Sequence, residues 1–164
     1  MQGNTIRKYS LKDATFINNF SERCHLSVLI NSNSLAFAVL DDDLNKYIQF
    51  DSYEYPDADA KSFNHISESF INEIEKLEHH SRKFKSTRIL LESPGSTLVP
   101  EEQFDKDNLE QYLSFSHQPW LNTDVINSSN KVSSINAHSI FSYPENIKNH
   151  LDKVFKNYTL YHQS

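Results

Sequence analysis

The chain has 164 residues, 37% of them hydrophobic, with eleven Phe and eight Tyr, which is material for one packed domain and argues against wholesale disorder. A net charge of −6 argues against a broad electrostatic footprint for nucleic acid or an anionic membrane. No apolar run approaches the ~20 residues that a membrane span requires, so neither nucleic acid nor membrane insertion is expected.

The opening residues, MQGNTIRKYSLKD, hold no apolar signal core, and Cys24 is the single cysteine, so a cytoplasmic location is the expectation. Three glycosylation-type triplets, at Asn19, Asn127 and Asn157, then read as chance. Gly3 and Gly95 are the two glycines of the chain. Loops that cradle phosphate need glycine for close backbone approach and positive φ, so a Walker loop and a dinucleotide fingerprint are both excluded as motifs.

Residues 1–24 read as a polar N-terminal segment of open secondary structure, and 25–164 as a single domain. His25–Asn31 alternates into a strand, with Leu26, Val28 and Ile30 on one face and Leu29 on the other. Ser34–Leu40 follows, with Leu35, Phe37 and Val39 opposite Ala36, Ala38 and Leu40, the pattern of a central strand covered on both sides. Lys46–Tyr55 is a third strand, with Tyr47, Gln49, Asp51 and Tyr53 against Ile48 and Phe50. The short connections make these an antiparallel meander. Asp57–Phe84 carries an amphipathic helical stripe, Phe63, Ile66, Phe70, Ile74 and Leu77. A fourth strand at Arg88–Leu91 can then reach a parallel position by a crossover, giving a mixed α/β (α+β) sheet. Thr97–Val99 is extended, Lys106–Phe115 a short helix buried through Leu109, Tyr112 and Leu113, and Thr123–Ile126 a candidate edge strand. Ser139–Tyr143 is a strand, Pro144–Phe155 a helix buried through Ile147, Leu151, Val154 and Phe155, and Tyr158–Tyr161 a last extended segment.

The chain is organised around Thr87–Phe104, where Glu92 stands at a strand exit and Pro94-Gly95 makes a turn. Strand exits are where open α/β sheets bind ligands, so Glu92 and Gly95 are candidate site residues. Asp41-Asp42-Asp43 could offer carboxylates to a divalent cation, but consecutive residues diverge, and a solvated hairpin turn is the reading taken. His79-His80 lie at a helix end, and Cys24-His25 lacks the rest of a zinc pattern. Trp120 is read as anchoring a polar loop.

Four segments, LSVLINSNSLAFAVLD, ILLESPGSTLVPEEQFD, YLSF and IFSYPENIKNHLDKVF, resemble an uncharacterised bacterial domain-of-unknown-function family with an actin-like ATPase, ribonuclease H-like fold. That family is distantly related to pilus-assembly proteins of the PilM type. The resemblance spans residues 25–164 and is closest at Leu98-Val99-Pro100 and Phe104-Asp105. It implies the first of two actin-like domains, with a second lying beyond this chain. It also implies that a hairpin between the first two strands would hold phosphate and metal, using glycines and a carboxylate. The matching residues, Asn31, Ser32, Asn33 and Ser34, supply neither. The expected function is therefore a non-catalytic actin-like module for protein–protein interaction or scaffolding, with no cofactor. Its partner would be another protein or a second actin-like domain, and self-association through residues 139–162 is expected. One alternative is a nucleotide-binding half-domain that takes ATP–Mg²⁺ only when paired. A ribonuclease H-like nuclease is the other, and the first strand offers it no carboxylate.

Overall fold

The computed structural model describes residues 6–14, 21–31, 33–54, 84–92, 95–115 and 124–162. Among them nine strands form two sheets. The meander is β2 (Cys24–Ile30), β3 (Ser34–Asp41) and β4 (Lys46–Glu54), antiparallel throughout. Strand β5 (Ser86–Leu91) lies parallel to β2, and β9 (Thr159–His162) parallel to β5. Strand β1 (Ile6–Lys12), from the segment left unassigned above, pairs antiparallel with the outer edge of β4. The order across the six-stranded sheet is β1-β4-β3-β2-β5-β9.

Alternation in the sequence becomes alternation in burial. Leu26, Val28 and Ile30 of β2 stand directly beside Val39, Phe37 and Leu35 of β3, and all six are buried. Thr87, Ile89 and Leu91 extend the same three rows on β5. Strand β4 departs from its predicted period. The register passes from Val39↔Gln49 to Leu40↔Tyr47, so Ile48 is an extra residue, and it turns into the core. A bulge of this kind moves the residues beyond it to the other face. Tyr47, expected beside Gln49 and Asp51, is consequently 65% exposed, while Gln49, Asp51 and Tyr53 face inward.

The mixed sheet expected from the sequence is present, and a second, three-stranded sheet stands beside it. Strand β6 (Ser96–Pro100) and β7 (Val125–Val132) flank β8 (Ala137–Pro144), both antiparallel to it. The physical reason lies in β8, which has bonding partners on both edges and apolar residues on both faces. Phe141 and Tyr143 join the main core, with Ile147 and Leu151 of helix α2 (Glu145–Val154) and Phe155 just after it. Ile140 points the other way, to Val99, Leu113, Phe104, Leu109 and Tyr112. The predicted short helix begins with a tight turn at Lys106–Asn108, capped by Asp105, and continues as α1 (Leu109–Ser114). The edge strand predicted at 123–126 runs instead from Val125 to Val132, half-buried along most of its length. The helix read over 57–84 lies outside the described residues except for Phe84, which packs against the main core. His79-His80 and Trp120 also lie outside them.

On α2, Asp152 accepts hydrogen bonds from Lys148 Nζ (2.5 Å), one turn earlier, and from the Tyr158 hydroxyl (2.8 Å). Burial, and then the bond to Asp152, push the Tyr158 phenol well above its ordinary value, while Lys148 and Tyr158 hold the Asp152 carboxyl below its own. Two outcomes are expected. Phe141→Ala, which empties a fully buried ring between the sheets, should cost about 3–5 kcal/mol in urea unfolding. A raised phenol pKa means that the bond's stabilisation is present below about pH 10 and is lost as pH rises further. Wild type should therefore keep its full advantage over Tyr158→Phe from pH 8 to about pH 10 and begin to lose it only above that, read as the difference in urea midpoints.

Candidate functional site

Parallel pairing of β2 and β5 brings their carboxyl ends together. The Glu92 amide donates to the carbonyl of Ile30 at 2.9 Å, so the residue after β5 sits beside the hairpin that follows β2. In that hairpin the Asn31 amide donates to the Ser34 carbonyl (2.9 Å), and Asn31 Nδ2 donates to Ser34 Oγ (3.1 Å). Asn31 Oδ1 is buried without a hydrogen-bond partner among the described residues. Asn33 is exposed, and Ser32 lies outside the described residues. Glu92 is exposed at the same end of the sheet.

Gly95 is buried at the start of β6, where its carbonyl accepts from the Ser142 amide at 3.3 Å. The turn does not draw on left-handed freedom there, since no described glycine has positive φ. What the position requires is space, because a Cβ would stand 3.3 Å from Ser142 Oγ. The structure thus brings Asn31, Ser34 and Glu92 to one sheet end, with Gly95 opening the second sheet.

The acidic run lies at the other end of the meander. Asp41 is buried, accepts from the Leu44 amide (3.2 Å) and is paired by Arg23 (2.9 Å). Asp42 is paired by Lys85, and His25 stands 3.6 Å away. Asp43 reaches Arg23 at 3.7 Å. Lys85, first by its hydrogen bond, holds the Asp42 carboxyl below the ordinary range. Asn45, at φ 47°, closes the turn in the left-handed region that asparagine tolerates. The three carboxylates are therefore engaged by Arg23 (Asp41 and Asp43) and Lys85 (Asp42), which is the geometry of a braced hairpin. Among the described residues no group of three or more His, Cys, Asp or Glu could hold a metal ion. Cys24 is fully buried and desolvation raises its thiol pKa, the opposite of an activated nucleophile.

One constellation was not read from the sequence. On the small sheet His138 Nε2 and Lys131 Nζ each meet the Glu101 carboxylate at 2.9 Å, and Phe104 stacks on the imidazole at 3.6 Å between ring centroids. Lys131, first by its hydrogen bond, depresses the Glu101 carboxyl. These residues meet through the registers Val99↔His138 and Lys131↔His138, long-range pairings that leave no local signature.

Comparison with solved structures shows the class. A Bacteroides thetaiotaomicron protein with actin-like ATPase fold and unknown function superposes with a TM-score of 0.77 at 19% identity. The alignment covers 90% of this chain and 55% of that one, so the chain spans about half the length of this solved relative. The fold is the actin-like ATPase fold, in its ribonuclease H-like form. Residues 13–164 match the family described as protein of unknown function (DUF3822), and the chain belongs to that family. A comparison with curated proteins finds no match.

Gly95→Ala should change stability by no more than about 1 kcal/mol, since the unfolded chain loses freedom while one hydroxyl shifts by a few tenths of an ångström. Chemical denaturation checks it. A larger loss would mean that the entry to β6 cannot yield.

Proposed function

We propose that this chain is a non-catalytic actin-like module that binds another protein or a second actin-like domain. One observation carries the reading. In the hairpin at the carboxyl end of β2, Asn31 turns its donors onto Ser34, through Asn31 N–H to Ser34 O and Asn31 Nδ2 to Ser34 Oγ. A phosphate requires free donors, and the atom that Asn31 leaves over, Oδ1, is an acceptor. The described residues of the hairpin also offer magnesium no carboxylate, so they do not fit ATP–Mg²⁺. A cytoplasmic site of action belongs to the same proposal; among the described residues no helix is long and apolar enough to cross a membrane.

A second reading, a nucleotide-binding half-domain completed by a partner domain, draws support from Glu92. Its carboxylate-bearing side chain is exposed beside the hairpin, at the strand ends where α/β sheets bind ligands. The ribonuclease H-like nuclease reading has no such observation in its favour.

Thermal unfolding with and without ATP–Mg²⁺, of the chain alone and of the chain paired with a second actin-like domain, separates the two. The expected result is no shift. A ligand at 100 times its dissociation constant adds roughly 2.7 kcal/mol, so a clear rise in Tm would overturn the non-catalytic reading in favour of the second.

A further inference from the structure

Strand β1 is held to the sheet without placing a side chain in either core. All seven residues, Ile6–Lys12, are exposed, although six of them pair in register with β4. None belongs to either hydrophobic cluster. Its hold includes the backbone ladder and two ion pairs, Arg7 with Asp51 and Lys8 with Glu54.

The first pair is unequal. The Asp51 side chain is fully buried on the inward face of β4, whereas Arg7 is half exposed. Gln49 Nε2 donates to the second Asp51 oxygen at 2.5 Å, and the Arg7 guanidinium lies 5.9 Å from the Tyr53 ring centroid. A buried carboxylate needs a cation close by, and here the cation comes from the outermost strand. The other end of β1 is pinned separately. The Asp13 amide donates to the Ile48 carbonyl, and its carboxylate accepts from Lys46, both at 2.9 Å. A departing β1 therefore pivots at Asp13, and its backbone groups pass to water while Ile6, Tyr9 and Leu11, already exposed, leave no core position empty.

We propose that the β4 edge, anchored by Asp51, is a strand-docking site that β1 fills within one chain and that β1 of a second copy fills between chains. The occupant is set by chemistry. It must be an extended segment that places one cation on Asp51 and another on Glu54, and β1 does so with Arg7 and Lys8 while carrying no acidic residue. A second copy restores every contact that the first one gives up, so concentration decides between the two states. The proposal names the partner of the interaction module as another copy, and rests to that extent on the proposed function.

Leu11 and Phe50 lie opposite one another in register and are both exposed, so Leu11→Cys with Phe50→Cys can form a disulfide across the β1–β4 pair without disturbing the core. The native Cys24 is buried and does not compete. The doubly substituted full chain is incubated over two decades of concentration, separated by size, oxidised and run on a denaturing, non-reducing gel. A dimer fraction that grows with concentration and whose disulfide joins two chains is expected, while in the monomer fraction the disulfide closes within one chain. Adding Arg7→Ala should speed interconversion of the two fractions roughly tenfold by removing the anchoring cation. A chain that stays monomeric throughout would overturn the proposal. So would a dimer whose disulfides all close within single chains, and that outcome would leave the interaction reading standing with its interface elsewhere.

Discussion

Strand β2 is bonded along both edges, antiparallel to β3 and parallel to β5, and the remaining elements take their positions from it. Its inward residues complete three apolar rows across the sheet: Val39–Leu26–Thr87, Phe37–Val28–Ile89 and Leu35–Ile30–Leu91. A slip of one residue would turn every one of them to the opposite face, so register is fixed by burial and not by the ladder alone. The parallel half of the arrangement has a topological consequence, because two parallel strands cannot be joined by a hairpin. It also sets the polarity of the site. Asn31 and Glu92 are neighbours only because β2 and β5 run the same way.

Strand β8 extends that order into the second sheet. Phe141 and Tyr143 belong to the same core as Val28 and Leu151, while Ile140, on the other face, belongs to the cluster around Leu113. The two cores thus share a backbone and are mechanically continuous, and neither can loosen without passing the disturbance along one strand. Helix α2 follows β8 directly, and its Glu145 amide donates to the Asp124 carbonyl just before β7 (2.9 Å).

The meander and its faces were legible because short strands with two-residue alternation write their burial into the sequence. Leu26, Val28 and Ile30, and Leu35, Phe37 and Val39, face inward as read. The parallel placement of β5 followed from the long connection before it. What escaped notice has physical reasons. The bulge at Ile48 leaves no compositional mark, so Tyr47 was assigned to the wrong face. Strand β7, reading VINSSNKV, is polar because most of it is only half-buried, and it forms through pairing with β8 and not through its own propensity. Strand β1 places no side chain in either core, so no apolar stripe announced it. At the candidate site, the absence of glycine and carboxylate from Asn31–Ser34 could be read directly. That the hairpin's donors close on each other could not, since it depends on geometry across the turn. The cluster of Glu101, Lys131, His138 and Phe104 was equally hidden, being assembled from three separate strands and turns.

The chain carries one thiol, and it lies at the start of the central strand with none of its surface open to solvent. Desolvation raises its pKa, and a reagent reaches it only when this end of β2 opens. Cys24 is therefore a built-in clock for that end of the fold. The rate at which it is alkylated under native conditions counts the openings that bare the first residue of β2, and no second sulfhydryl exists to confuse the count.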